Sequence, residues 1–474
     1  MSEFLKIEYG IPRIGGPDQL PPPVIWRPGF GAEPSGEPMD FPFIIPMAPL
    51  KAQVLIEDGM LAPFRDDGDL SGNITAEAAV DMRLRLDTPA VNGVYVTGSC
   101  SYTIRNADME LCGDCINDFA GNGAAVQVMK NARVVVENSK IITCGVLRSC
   151  LVADEYSTLE VHGCELICEG GVPAPDNPAW AIPAGPGMIK APDVMKCKGH
   201  SRLALTVGNA HAYYNHCRIV SDGWAALSTD ASWGDTYLEA NHCNITLKNA
   251  GYAAFADEGA MVVLNDCDVK TPSHAGMICG KAIMAFHQCR ITAGFNAVWM
   301  FAVQGLSGSQ IANLNIYQSE IETDGDALLV TGTNAHIEVR GSKLYAKSGV
   351  ILRGKSNQKD PMTTKINPGE PLYGIKAIFT DMDVNGDFIH EDPDRAMILF
   401  FTHAHITGAI NGAAVKMDPA TTWFSPKDSA VCLTQSIDLG QVDAPDGVTI
   451  TITCPDMAAL DGKKLPSGGI LAVK

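Results

Sequence analysis

The sequence predicts an all-β chain wound as a right-handed parallel β-helix solenoid with an irregular N-terminal cap or arm. Three observations predict it. A tetrad of turn residue, Cys or Ser, polar residue and aliphatic recurs through the chain, as in His216-Cys217-Arg218-Ile219 and His242-Cys243-Asn244-Ile245. The steps from Cys217 to Cys243, Cys267 and Cys289 are 26, 24 and 22 residues. A Gly or Asp-Gly turn and a second apolar run, such as Trp224-Ala225-Ala226-Leu227, follow the tetrad. Repeats of this length carrying short strands bury their apolar faces by stacking coil on coil.

Each segment follows from that frame. Residues 1–89 are rich in proline over most of their length and show no coil pattern, so they are expected to form an arm and cap. A cap shields the open strand edges of the first coil, and the same arm is the expected contact of a homo-oligomer. Residues 90–410 form the solenoid. Its tetrads begin at Asn138, Gly163, His216, His242, Asp266, Gln288, Gln318 and Gly341. On a strand the small residue and the aliphatic, two apart, share one face. Cys164, Cys217, Cys243, Cys267 and Cys289 are therefore expected to point inward as an apolar ladder of reduced thiols.

Insertions at 169–200, 303–313 and 355–373 interrupt the coils, and loops of that length on a compact scaffold are usually functional. The run from Asp381 to Asp392 has the spacing of an EF-hand calcium loop, but its flanks read as strands. It also matches the coil at Glu320–Asp326, so it is assigned to the repeat. Residues 411–474 read as C-terminal coils and a cap.

Composition narrows the function. The net charge of −19 excludes nucleic acid and anionic membrane as expected partners, and it disfavours a polyanionic substrate. Fifteen cysteines, an odd number with no paired CxxC motifs, argue against a disulfide framework or zinc ribbon. Only Cys112 and Cys115 form a lone CxxC. His403 and His405 share a strand face without a third ligand, so no metal site is expected. The first residues lack a basic and then apolar leader pattern, which makes the cytoplasm the expected compartment. No Walker loop, GxGxxG, GxSxG or HExxH occurs, and no cofactor is expected.

The coil period and the inward Cys/Ser/Ile columns resemble the pectin-lyase-like superfamily of right-handed parallel β-helices over residues 90 to 410. From Ala404 the alternation, Gly turn, Trp423 and Ser-Ala-Val strand resemble the last coils of autotransporter passengers. The first resemblance implies an enzyme whose acid and base come from adjacent coils on one outer face.

Aligning the strands after each Gly turn places Asp154, Asp230 and Asp257 in one column. Coils stack about 4.8 Å apart, so Asp230 and Asp257 are expected about 5 Å apart at their backbones. Such proximity raises one carboxyl pKa and suits general acid/base work or double displacement. The competing reading is that these are turn residues, which aspartate also favours. Lys281 in the next coil, His211 and Tyr213 are further catalytic candidates. Tyr214, Trp233 and Trp299 are expected to stack on a ligand, with Arg353 beside them.

Two classes of function remain. One is an acid/base lyase, isomerase or hydrolase for a neutral polyhydroxylated or aromatic small molecule or glycan. The other is a structural or adhesive β-helix, or a non-catalytic glycan binder. The irregular insertions favour the enzyme, because a purely adhesive solenoid tends toward uniform coils.

Overall fold

A computed structural model describes residues 50–115, 118–171, 196, 201–229, 235–301, 311–356 and 374–474. It is 60% strand and 2% helix, and nearly all the strand pairing is parallel. Three ladders run along the stack, one for each side of the coil, and the chain is a parallel β-helix. The first strands of the stack, Lys51–Glu57, already pair in parallel with Val91–Thr97. Strands therefore begin inside the stretch expected as arm and cap.

The first ladder contains six strands that matter below: β1 (His211–Asn215), β2 (Tyr237–Asn241), β3 (Met261–Asn265), β4 (Ile283–His287), β5 (Ile311–Tyr317) and β6 (Asn334–Arg340). They pair in sequence, each with the next, all parallel. Alternation sends Ala212, Leu238, Val262, Met284, Leu314 and Ile337 inward, all fully buried. Tyr214, Ala240, Leu264, Phe286 and Ile316 form the second inward column. Tyr214 was expected to contact ligand from outside. It is 0% exposed and packs within the core, because it lies an even number of residues from the inward Ala212.

One residue turns the chain from the first ladder into the second. It is the leading member of the tetrad, and it adopts left-handed backbone in every coil from Asn138 to Gly341. His216 (φ 54°), His242 (φ 52°), Asp266 (φ 48°) and Gln288 (φ 54°) all do so. Side chains resist this region, although Asn, Asp and His tolerate it best. The two histidines stack at 4.8 Å on the outside of the turn.

The cysteine ladder is present. Cys164, Cys217, Cys243, Cys267 and Cys289 are buried free thiols in the core. Hydrogen bonds within this column join neighbouring coils at four steps. The Ser139 amide donates to Cys164 Sγ (3.4 Å) and the Cys217 amide to Cys243 Sγ (3.4 Å). Cys289 and Ser319 amides donate to Ser319 and Ser342 Oγ (3.0 and 3.1 Å). Burial pushes the Cys164 thiol up to about 12. Because the thiolate is the reactive form, iodoacetamide should leave these five unlabelled in the native chain at pH 8. Full labelling on denaturation checks this by peptide mass spectrometry, and rapid native labelling would refute the ladder.

The second ladder carries the tetrad aliphatics inward and exposed ion pairs outward, such as Arg290–Asp268 (2.8 Å) and Lys343–Glu320 (2.7 Å). Exposed pairs of this kind contribute little to stability. The Asp381–Asp392 run is coil, as the repeat predicts. Asp381 pairs with Arg340, and Asp387 pairs with Lys427 (2.7 Å) while accepting the Ala409 amide (2.9 Å). The C-terminal coils continue through buried Trp423, whose indole N–H donates to Gly408 O (2.8 Å). The antiparallel pairing of Lys463–Lys464 with Ile470–Val473 blunts the terminal edge.

Candidate functional site

The expected carboxylate column lies on the third ladder, and only part of it is assembled. Strands Ala225–Ser228 and Tyr252–Asp257 are register neighbours, as expected. Asp230 and Trp233 lie outside the described residues, so the Asp230–Asp257 pair has only one described member. Asp154 sits three strand steps from Asp257, about 14 Å at the usual spacing. The two therefore do not pair directly.

Asp154 is instead tied to its own turn. Its Oδ1 accepts the Glu155 amide at 2.6 Å, and Gly208 of the next coil closes over it. A Cβ on Gly208, where φ is +58°, would stand 1.9 Å from that oxygen. Burial pushes the Asp154 carboxyl up to about 6.

Register displaces Lys281, and ion pairing occupies Arg353. The residue beside Asp257 is Cys279, followed in the same column by Phe301, Thr331 and Lys355. Lys281 stands two residues beyond that column, exposed, in the turn after Gly280 (φ +63°). It does not neighbour Asp257 along the ladder, contrary to expectation. Arg353 does face outward, but its guanidinium is engaged by Asp326 (2.6 Å) and Glu391 (3.3 Å).

The outer face of this ladder is apolar. Phe255, Met277, Cys279, Trp299 and Phe301 are buried together. Trp299 stacks on Phe301 with centroids 4.0 Å apart and donates to Thr331 Oγ1 (3.1 Å). At 0% exposure it is a packed residue and not an open stacking platform.

The polar chemistry collects on the neighbouring first ladder, across β1 to β6. Three outward columns follow from register. His211, Tyr237, Met261, Ile283, Asn313 and His336 form the first. Tyr213, Glu239, Val263, Ala285, Asn315 and Glu338 form the second. Asn215, Asn241, Asn265, His287, Tyr317 and Arg340 form the third. The middle of this surface is an apolar patch of Met261, Val263, Ile283 and Ala285, in which the second-column members Val263 and Ala285 are 1% and 0% exposed. Polar and titratable groups ring it.

At one end Tyr237 donates to the Glu239 carboxylate, and Tyr213 packs on the Tyr237 ring at 5.6 Å. His211 holds the Asp235 carbonyl (3.0 Å) and stands 3.4 Å from its carboxylate. At the other end Glu338 accepts from Tyr317 Oη (2.8 Å) and His336 Nε2 (3.1 Å). The His336 hydrogen bond, more than any other contact, holds Glu338 below the usual carboxylate range. Burial raises the Tyr317 phenol, with Glu338 adding to the effect. Between these ends lies His287, tilted on the Tyr317 ring at 5.5 Å, its pKa lowered by burial against the opposing charge of Glu239.

Of the residues expected from sequence, His211 and Tyr213 belong to this face. Glu239, His287, Tyr317, His336 and Glu338 were missed. A signal was present: the residue before each tetrad reads Asn215, Asn241, Asn265, His287, Tyr317, Arg340, an outward polar column. A shallow cavity of about 500 Å³ opens elsewhere, beside Asp114, Glu169 and Asp222. Its carboxylates serve local structure: Asp114 accepts the Val146 amide (3.0 Å) and Asp222 takes the Asn249 side-chain amide (2.5 Å). No protein-family model, curated protein or solved structure matches this chain.

Proposed function

We propose that the chain is an acid/base enzyme of the lyase, isomerase or hydrolase class, with its site on the outward face of β1–β6. Its substrate is a neutral polyhydroxylated or aromatic small molecule, or a glycan. The observation that carries this reading is the set of His287, Tyr317, Glu338 and His336 gathered beside a buried apolar patch. A neutral imidazole can take a proton at ordinary pH, and a phenol held by a carboxylate can deliver or relay one. The partly exposed rings of Tyr213 and Tyr317 at the patch's two ends suit the face of a sugar or aromatic ring.

Glu239 and Glu338 flank the patch, which disfavours an anionic ligand, in keeping with the charge of −19. The pectin-lyase-like resemblance, with its acid and base on adjacent coils, supports the same class. A panel of neutral oligosaccharides, polyols and phenolic glycosides, followed by one-dimensional proton NMR, tests it. New product resonances that vanish in the Glu338→Gln variant are expected. Saturation transfer without product from any panel member would identify a non-catalytic binder, and neither signal would favour a structural solenoid.

A further inference from the structure

We propose that the His287 Nε2 atom is the proton acceptor of this face, and that Glu239, two coils away, is the positioning residue that keeps it unprotonated. Four side chains on three consecutive coils, Glu239 and Asn241 sharing β2, form one hydrogen-bonded chain whose direction is set at its first member. A carboxylate only accepts, so the atom of Asn241 lying 2.8 Å from Glu239 Oε1 must be its NH₂ nitrogen. The same nitrogen donates to Asn215 Oδ1 at 2.9 Å.

Asn241 then offers only its Oδ1 to the next coil, where Asn265 Nδ2 donates to it at 2.8 Å. That leaves Asn265 Oδ1 to meet His287 Nδ1 at 2.8 Å. An amide oxygen cannot donate, so Nδ1 must carry the proton. In the neutral ring the lone pair therefore lies on Nε2. Nε2 is itself buried and has no hydrogen-bond partner among the described residues.

The arrangement differs from an ordinary ladder of stacked asparagines. An all-amide ladder can run in either direction, because each amide both donates and accepts. Here Glu239 breaks that symmetry, and Tyr237 holds Glu239 in turn by donating to its other oxygen. An unprotonated Nε2, buried beside an apolar patch, is an acceptor for a ligand hydroxyl or an acidic C–H. A proton taken there leaves an imidazolium whose Nδ1–H remains bonded to Asn265. This inference rests on reading the outward face of β1–β6 as an acid/base site, but its first readout needs no substrate.

Selective ¹⁵N-histidine labelling of the full chain, with two-bond ¹⁵N–¹H correlation spectra at pH 7.5, reports the tautomer directly. The His287→Gln variant assigns the His287 signals. The expected result is a protonated Nδ1 and a bare Nε2 in the wild type. In Glu239→Gln, which keeps the shape but supplies a donor, the pattern should shift toward Nε2–H or to exchange-averaged signals. Asn265→Leu, with folding checked by circular dichroism, should lose the Nδ1–H preference as well.

An Nε2–H ring in the wild type, or an unchanged spectrum in both Glu239→Gln and Asn265→Leu, overturns the positioning chain. Should the spectra behave as expected while His287→Gln retains turnover on a substrate found by the panel, the proton-accepting role falls and the tautomer control stands. Failure of the panel itself would instead count against this face as an enzyme site.

Discussion

Alanine at His287 is expected to lower kcat by about 10²–10⁴-fold on a substrate that the wild type turns over, the usual contribution of a positioned general base. The melting temperature should change little, because His287 is partly exposed on the outer face and lends nothing to the inward columns. The pH profile of the wild type gives a second check. Burial lowers the His287 pKa from its ordinary 6.5, so the base form persists further into acid than for a free imidazole.

The acid limb of kcat/KM should therefore fall below pH 6.5. Glu239 works against the shift from β2, and the Tyr317 phenol across β5 is neutral in this range, since burial raises its pKa. Steady-state kinetics from pH 4.5 to 8 measures both. Retention of at least half the wild-type kcat in His287→Ala, or an acid limb centred above 6.5, would remove His287 from the chemistry.

Asp154→Asn is expected to stabilise the chain at pH 8 and to leave it nearly unchanged at pH 4. The Asp154 carboxyl is pushed up to about 6 in the folded chain from an ordinary 3.8, with burial the main cause and the Glu155 amide opposing it. The sign follows from linkage. A raised carboxyl binds its proton more tightly when folded, so its contribution is fully present below the unfolded value. That contribution is lost as pH rises through the folded one.

Wild type should thus lose stability between about pH 4 and pH 7, by about 2 kcal/mol once the side chain's partial exposure is allowed for. Asparagine keeps the acceptor for the Glu155 amide but has no charge to bury. Melting curves of both proteins at pH 4 and pH 8 decide the matter. A constant difference between them would show that ionisation at Asp154 is not the cause.

Much of the fold was legible because the information is local. A Cys or Ser two residues before an aliphatic sets strand parity within a single coil, and the 22- to 26-residue steps say that such coils stack. That was enough to send five cysteines inward. The leading tetrad residue gave that signal only in part, with glycine at Gly163 and Gly341 alone. A left-handed turn usually advertises itself with glycine, and here His216, His242, Asp266 and Gln288 take the conformation instead. Tyr213 and Tyr214 show the limit of reading neighbours as a pair, since alternation puts one on the outer face and the other in the core.

By itself, then, the sequence determined the solenoid and its inward columns, since periodicity needs no knowledge of contacts. Only the tertiary structure decided which polar residues meet. Lys281 leaves the Asp257 column because Cys279 holds the pairing position. Glu239, Asn241, Asn265 and His287 meet because β2, β3 and β4 stack in register. The direction of their hydrogen bonds depends on a single carboxylate at one end. Contacts between coils are set by how many residues each coil spends in its turns and insertions. That number varies from coil to coil, so a repeat near 24 identifies the stack without aligning its outer face.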